Sequence, residues 1–238
     1  MFDEIKVGDI VLQHSVYEYI DSNMYVLIDG EGALIIDPHK NEQLTDYLRN
    51  QGVKNVTILL THEHHDHTSG IYWYQEYFQS KLICQEDAAV IMSKKQYLRP
   101  TLTAFILGEE DFKNGTHRYD EFKSVFVPRQ YTADLTYSDE YSLNWHSHTF
   151  QFYHIPGHSP GSNLIVLDGQ YAFTGDSLLK ELPIIIRFPG SNKEEYLSKA
   201  LPLLNQHLTS DMTILPGHGK PFVLKEIMDK NQIYVQFR

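Results

Sequence analysis

Val56-Thr57-Ile58-Leu59-Leu60-Thr61-His62-Glu63-His64-His65-Asp66-His67-Thr68-Ser69-Gly70 decides how the chain is read. Its first five residues are apolar and largely β-branched, the pattern of a fully buried strand, and the polar cluster begins where that strand should end. His62, His64, Asp66 and His67 offer more nitrogen and oxygen donors than one metal ion can use at once. The spacing suggests two ions. His62 and His64 point the same way from an extended segment, whereas Asp66 and His67 are adjacent and diverge toward a second, neighbouring ion.

Working outward, Met24 to Ile28 and Ala33 to Asp37 read as two buried strands joined by the turn Asp29-Gly30-Glu31-Gly32. A helix from Asn41 carries Leu44 and Leu48 on one face and stops at Gly52. After the histidine-rich loop, Ile71 to Phe78 reads as a helix with an aromatic face and Lys81 to Cys84 as a strand, so the early order is β-β-α-β-α-β. From about 94 to 139 the alternation fades into mixed polar and aromatic residues, either a lid or a partly helical insertion in a single domain spanning 1–238. Strands resume at Phe150 to Ile155, Asn163 to Leu167 and Tyr171 to Thr174, with a second Asp-Gly turn at Asp168-Gly169. Ser191-Asn192-Lys193-Glu194 has the form of a capping box. It opens an amphipathic helix bearing Leu197, Leu201, Leu204 and Leu208, with a kink expected at Pro202. Met212 to Leu215 is the last strand, and a short helix follows around Val223 to Met228.

Three later motifs place a ligand-type residue just past a predicted strand, where α/β architectures put their sites. They are Pro156-Gly157-His158-Ser159-Pro160-Gly161, Thr174-Gly175-Asp176-Ser177 and Pro216-Gly217-His218-Gly219. Glycine beside each ligand permits a tight backbone and close approach to another group. With the first motif they bring five histidines and two aspartates, about what two ions need once one carboxylate and one hydroxide are shared.

On these motifs and their order, the chain resembles the metallo-β-lactamase-fold hydrolases, especially the glyoxalase II-like branch. The resemblance implies an α/β fold, an αββα four-layer sandwich of two mixed β-sheets flanked by helices. It implies one metal site at His62, His64 and His158, a second at Asp66, His67 and His218, and Asp176 between the ions. Asp37 matches the family's upstream aspartate, which supports the ligands from behind. The implied cofactor is a pair of divalent ions, zinc with iron or manganese as alternatives. The implied reaction is attack on a carbonyl by a hydroxide bridging the ions, whose parent water titrates near about 7 rather than 15.7. Asp66 is the candidate catalytic residue, orienting that hydroxide and shuttling its proton. The expected substrates are thioesters or other activated esters, lactones included.

The chain departs from the branch in two places. Where a Gly-Arg-x-Asp segment is expected it has Ile184-Ile185-Ile186-Arg187-Phe188-Pro189-Gly190, keeping an arginine without its acidic neighbour. About twenty residues follow His218, where glyoxalase II has a separate helical domain carrying glutathione-binding basic residues. Alternatives are a mononuclear iron persulfide dioxygenase, which has fewer ligands, a phosphodiesterase or nuclease, and a non-catalytic metal module. His67 and Pro216-Gly217-His218-Gly219 speak for two ions, and structural zinc sites are usually cysteine-rich, unlike this one.

Composition bounds the rest. A net charge of −11 argues against a broad nucleic-acid surface. The single cysteine, Cys84, excludes an internal disulfide and reads as a buried thiol. No signal-peptide pattern or membrane-length apolar run appears, so the expectation is a cytoplasmic protein, monomer or homodimer, acting on a small-molecule substrate. His65 falls at a position the ligand signature leaves free. His39, His154 and His207 read as surface or hydrogen-bonded histidines, and Ser159, Ser162 and Ser177 as loop hydrogen-bonders. Trp73 and Trp145 read as packing residues, while Arg187 and Lys180 are candidates to meet substrate.

Overall fold

Along Asn23–Asp29, Met24 and Val26 face one way while Tyr25 and Leu27 face the other, and all four are buried. A strand buried on both faces must sit in the middle of a layered structure. The computed structural model describes residues 1–228. In chain order its first half comprises β1 (Asp3–Val7), β2 (Ile10–Val16), β3 (Asn23–Asp29), β4 (Gly32–Ile36), α1 (Glu42–Asn50), β5 (Asn55–Leu59), α2 (His65–Thr68), α3 (Ile71–Tyr77), β6 (Gln79–Gln85), α4 (Glu86–Met92), α5 (Thr101–Asn114), α6 (Arg118–Val125) and β7 (Leu135–Tyr137). Its second half comprises β8 (Glu140–Trp145), β9 (His148–His154), β10 (Asn163–Leu167), β11 (Tyr171–Gly175), α7 (Lys193–Glu195), α8 (Leu201–His207), β12 (Thr213–Pro216), β13 (Phe222–Val223) and α9 (Lys225–Met228).

Strands β1 to β7 form one sheet in sequence order, antiparallel through β4 and parallel from β4 to β7. The second sheet runs β13-β12-β11-β10-β9-β8, with only β11 and β12 parallel. The two sheets face each other through Tyr25, Leu27, Leu34 and Ile36 on one side and Phe150, Phe152, Ile165 and Phe173 on the other. Behind the first sheet, Val26, Ile35 and Ile58 pack on Leu44, Leu48, Ile71 and Tyr74 of α1 and α3. Behind the second, Leu164, Val166 and Ile214 pack on Tyr196, Ala200 and Leu204. The order is therefore helix, sheet, sheet, helix, the α/β sandwich of two mixed sheets that the family resemblance implies.

Local chemistry sets the element ends. Asn41 caps α1 by accepting from the Leu44 amide at 3.0 Å, and the chain leaves that helix through Gly52 at φ +80°. Asp168 and Gly169 both turn at positive φ, as an Asp-Gly hairpin requires. The hairpin of β1 and β2, closed at Gly8-Asp9, lies upstream of every strand read from sequence, and β7, β8 and β13 add three more. The capping residue near 191 is Asn192, whose side chain accepts from the Glu194 and Glu195 amides, whereas Ser191 Oγ binds Phe188. The helix beyond it runs as a π-helical turn over Tyr196–Ala200, just ahead of Pro202, which cannot donate a backbone hydrogen bond, and this rotates the face. Leu197 is thus 41% exposed, and Tyr196 and Ala200 take the buried positions.

Where the alternation fades, α5 and α6 form a helical hairpin. The Asp111 carboxylate accepts from Thr116 Oγ1 (2.6 Å) and from the amides of Arg118 and Tyr119 (both 2.9 Å), closing the turn between them. Arg118 then donates to the Glu18 and Tyr19 carbonyls at 2.8 and 2.6 Å and pairs with Glu110 at 2.8 Å, fastening the hairpin to the β2–β3 loop. Cys84 is buried, and burial pushes its thiol up to about 12, as expected of an inert packing residue. Among the described residues no helix is long and apolar enough to cross a membrane.

His39 is a buried histidine with one satisfied nitrogen. Its Nε2–H donates to Ser15 Oγ at 2.8 Å, Ser15 passes its own proton to the Met1 carbonyl, and Nδ1 has no partner among the described residues. Burial, helped by neighbouring positive groups, pushes the ring down to about 3. Unfolding lets the ring take a proton below its ordinary value near 6.5, so its contribution is present above that pH and lost as pH falls. Between pH 7 and 5 this one group should cost about 2 kcal/mol of unfolding free energy. Urea unfolding at both pH values should show His39→Gln losing less stability than wild type by about that amount; equal losses would contradict the assignment.

Candidate metal centre

Asp37, directly after β4, turns the chain at φ +55°, an uncommon conformation for a residue with a side chain. Its buried carboxylate gathers the first motif. Oδ1 accepts from the Thr61 amide at 2.7 Å, and Oδ2 accepts from Thr61 Oγ1 at 2.6 Å and from His67 Nδ1–H at 2.9 Å. With Nδ1 so engaged, His67 Nε2 is the atom that faces the centre, and it is buried without a hydrogen-bond partner. Thr61, its proton already given to Asp37, accepts from His62 Nδ1 at 3.1 Å, which turns His62 Nε2 inward. His158 Nδ1 donates to the Ile185 carbonyl at 2.9 Å and likewise presents Nε2.

The seven predicted side chains meet in two adjoining groups. His62 Nε2 and His158 Nε2 lie 3.0 and 3.1 Å from His64 Nδ1. Three ring nitrogens so close have at most one proton to share, and the resulting lone-pair repulsion is what a cation relieves. Asp66 Oδ2 lies 3.2 Å from His67 Nε2 and 3.5 Å from His218 Nε2. Asp176 spans the groups, with Oδ2 at 3.5 Å from His158 and 3.3 Å from His218, and Oδ1 at 3.5 Å from His67. Asp176 Oδ1 is the second buried atom here without a hydrogen-bond partner. Asp37, His62 and His67 also stand close enough to hold an ion, but the three hydrogen bonds that Asp37 accepts already occupy its oxygens.

Electrostatics separates the groups. Burial pushes His64 down to about 3 and holds His62 well below its ordinary value, with neighbouring histidines adding, and burial also lowers His158. These rings are neutral donors at pH 7. In the other group burial opposes charge but loses: Asp66, Asp176 and Asp37 hold His67 well above its usual value, and Asp176 and Asp66 lift His218 to about 10. The same pairs override the burial of Asp66 and Asp176 and keep both carboxyls well below the ordinary range. Buried carboxylates that draw protons onto facing imidazoles offer a place for positive charge.

Residues that position these side chains come from across the chain. Asn163 donates through Nδ2 to the Leu60 and Thr61 carbonyls at 2.9 and 2.8 Å, while its Oδ1 accepts from Tyr137 at 2.9 Å. Asn23 and Tyr25 hold the Pro216 carbonyl at 2.9 and 3.0 Å, and Ser22 Oγ donates to the Asp66 carbonyl at 2.9 Å. Glu63, between His62 and His64, accepts from Ser159 Oγ at 3.0 Å and the Gly161 amide at 3.2 Å, and so ties the His158 loop to the first motif. None of these was singled out from sequence; the one local signal was a carboxylate standing inside the His-x-His spacing. A side chain at position 217 would collide with the Asp176 carboxylate and press on His67, which explains the glycine there.

The remaining expectations have distinct outcomes. His65 joins neither group: its Nε2 binds the Tyr97 carbonyl at 2.7 Å and its ring stacks on Tyr97. His154 binds the Pro160 carbonyl at 2.8 Å, and His207 stacks on Tyr153. Lys180 pairs with Glu226 at 2.7 Å on the surface, whereas Arg187 stands over the Phe188 ring near His64.

The family model of the metallo-beta-lactamase superfamily matches residues 19–218. The probable metallo-hydrolase of Streptococcus pyogenes serotype M6 is 26% identical over 199 residues, covering 83% of this chain and 78% of that protein. The hydroxyacylglutathione hydrolase GloC of Haemophilus influenzae is 27% identical over 198 residues, covering 80% and 82%. Among solved structures, the BLEG-1 B3 metallo-beta-lactamase shares the architecture, with a TM-score of 0.66 at 24% identity over 98% of both chains.

Asn163 tests the positioning account. Asn163→Ala removes donors from two buried carbonyls and the acceptor of Tyr137, and should cost about 1–3 kcal/mol for each group left unpaired. Thermal unfolding should show the loss; a variant as stable as wild type would mean the two motifs hold their places without this link.

Proposed function

The chain belongs to the metallo-beta-lactamase superfamily of metal-binding hydrolases, and from that premise we propose that it cleaves an acyl thioester or another activated ester, lactones included. His62, His64 and His158 would hold one divalent ion and Asp66, His67 and His218 a second, with Asp176 shared; zinc is the first choice, iron or manganese the alternatives. When bound, such a pair supplies Lewis-acid polarisation of a carbonyl and a water acidic enough to be a nucleophile at neutral pH.

The protein's own groups do the rest. The Nδ1–H bonds of His62, His67 and His158 fix which nitrogen each ring presents, so the donors need no reorganisation. Asp66, whose carboxyl His67 and His218 keep well below the ordinary range, would orient the attacking water and receive its proton. His62, His67 and His158 are almost wholly buried, which limits the contact of their rings with bulk water. The observation that carries the reading is the Asp176 carboxylate, whose two oxygens reach His158 on one side and His67 and His218 on the other. The choice of a thioester or ester is supported by the likeness to a hydroxyacylglutathione hydrolase over most of both chains.

The test is a hydrolysis panel of lactoylglutathione, simple acyl thioesters, acyl-homoserine lactones, a cephalosporin and a phosphodiester. Turnover should appear on the thioesters or activated esters. Asp66→Asn should lower kcat by about 10²–10⁴, whereas His65→Ala should keep most activity. Turnover confined to the phosphodiester, or one iron per chain with oxygen uptake on glutathione persulfide, would overturn the proposal.

A further inference from the structure

A cavity of about 480 Å³ opens on the His64 side of the centre. Its wall is apolar, built by Ile91, Leu102, Phe105, Pro160, Phe188 and Pro189. Phe188 is buried, and its ring meets that of His64 edge-on at 6.3 Å, so the apolar lining begins at a predicted ligand. Phe105, on α5, is 51% exposed although it is aromatic and faces this space. Apolar area left open beside a reactive centre is area that a ligand can cover.

The rim carries charge of one sign. Lys94, Arg99 and Arg187 line the cavity and are exposed to solvent, in a chain whose net charge is −11. Among the described residues Lys94 and Arg99 have no carboxylate partner, and Arg187 has only the loose, half-exposed contact with Glu109 at 3.7 Å. The one acid in the lining, Glu63, is buried and turned to Ser159 and Gly161. A cationic rim over an apolar wall selects a molecule that is apolar along its length and anionic at its far end.

We propose that this cavity is the specificity recess of the enzyme. It takes one limb of the ester or thioester, an apolar chain of several carbons ending in an anionic group. The chain lies against Phe188, Leu102 and Phe105, and the anion meets Lys94, Arg99 and Arg187. This rests on the hydrolase reading above, with the scissile carbonyl at the histidine end of the recess. The anionic limb has two possible sources, the acyl group or the leaving thiol.

Four thioesters and one dye test it on the metal-loaded protein. The thioesters are acetyl and octanoyl N-acetylcysteamine, suberyl N-acetylcysteamine with an anionic acyl end, and acetyl 8-mercaptooctanoate, whose leaving thiol carries both the chain and the anion. If the acyl limb fills the recess, KM should fall about tenfold from acetyl to octanoyl N-acetylcysteamine and again for the suberyl compound; if the leaving thiol fills it, the fall should come instead with acetyl 8-mercaptooctanoate, which identifies the limb. Phe105→Ala should raise KM for the long-chain compounds of that limb about tenfold, and Arg99→Gln should raise it about threefold for its anionic member, since exposed pairs are weak. The dye 8-anilinonaphthalene-1-sulfonate, an apolar anion that is not a substrate, should bind with matching losses in both variants. Phe112→Ala, on α5 but 91% exposed and outside the cavity, should behave as wild type. If no thioester is hydrolysed yet the dye binding depends on Phe105 and Arg99, the reaction is wrong and the recess stands. If thioesters are hydrolysed with KM indifferent to chain length, charge and both substitutions, the recess is refuted and the reaction stands.

Discussion

The geometry of the centre depends on one buried carboxylate, that of Asp37. It accepts three hydrogen bonds, two from Thr61 in the loop that leaves β5 and one from His67 in α2, which follows that loop. Burying a carboxylate is costly unless it is compensated in this way. The compensation also sets the orientation of His67 directly and of His62 through Thr61. A left-handed backbone at Asp37 is what aims the carboxylate there, so a locally unfavourable conformation is retained where it organises two rings at once.

Around that anchor the two halves of the chain close on each other through backbone carbonyls. Asn163 reaches back to the end of β5, Asn23 and Tyr25 reach forward to Pro216, and Glu63 grips the loop that carries His158. Each link spans the boundary between the sheets and reinforces the backbone bonds there, from the Asn23 amide to the Gly217 carbonyl at 2.7 Å and from the Asn163 amide to the Thr61 carbonyl at 2.8 Å. Packing of the inner faces holds the sheets together, while these polar links fix how their loop ends align. The neutral trio of histidines and the proton-drawing set of carboxylates thus stand side by side as two environments.

The sequence made much of this legible, and the reasons differ by residue. Ligand-type side chains announce themselves because donor chemistry and short spacing are local properties, and all seven converge. The supporting residues do not, because their meaning lies in partners 193 positions away for Asn23 and 103 for Asn163. An asparagine beside a strand carries no mark of that partner. Both β1 and β8 escaped notice for another reason: they alternate between buried and exposed positions at the sheet edges, with a weaker apolar signal than the central strands. In β8 the alternation of Tyr141, Leu143 and Trp145 was present to be read. The buried face of the helix after Asn192 is as the leucine spacing predicts at Leu204 and Leu208 but shifts by one residue before them, to Tyr196 and Ala200, since a π-helical turn breaks the period there. The helices α5 and α6 have mixed faces, and the cap at Asp111 and the clamp of Arg118 order them instead.

The measurement that bears most directly on the central claim is anomalous diffraction from crystals of the metal-loaded protein. Two peaks are predicted, one among His62, His64 and His158 and the other among Asp66, His67 and His218, with the Asp176 carboxylate between them. A single peak, or one centred on Asp37, His62 and His67, would contradict the account.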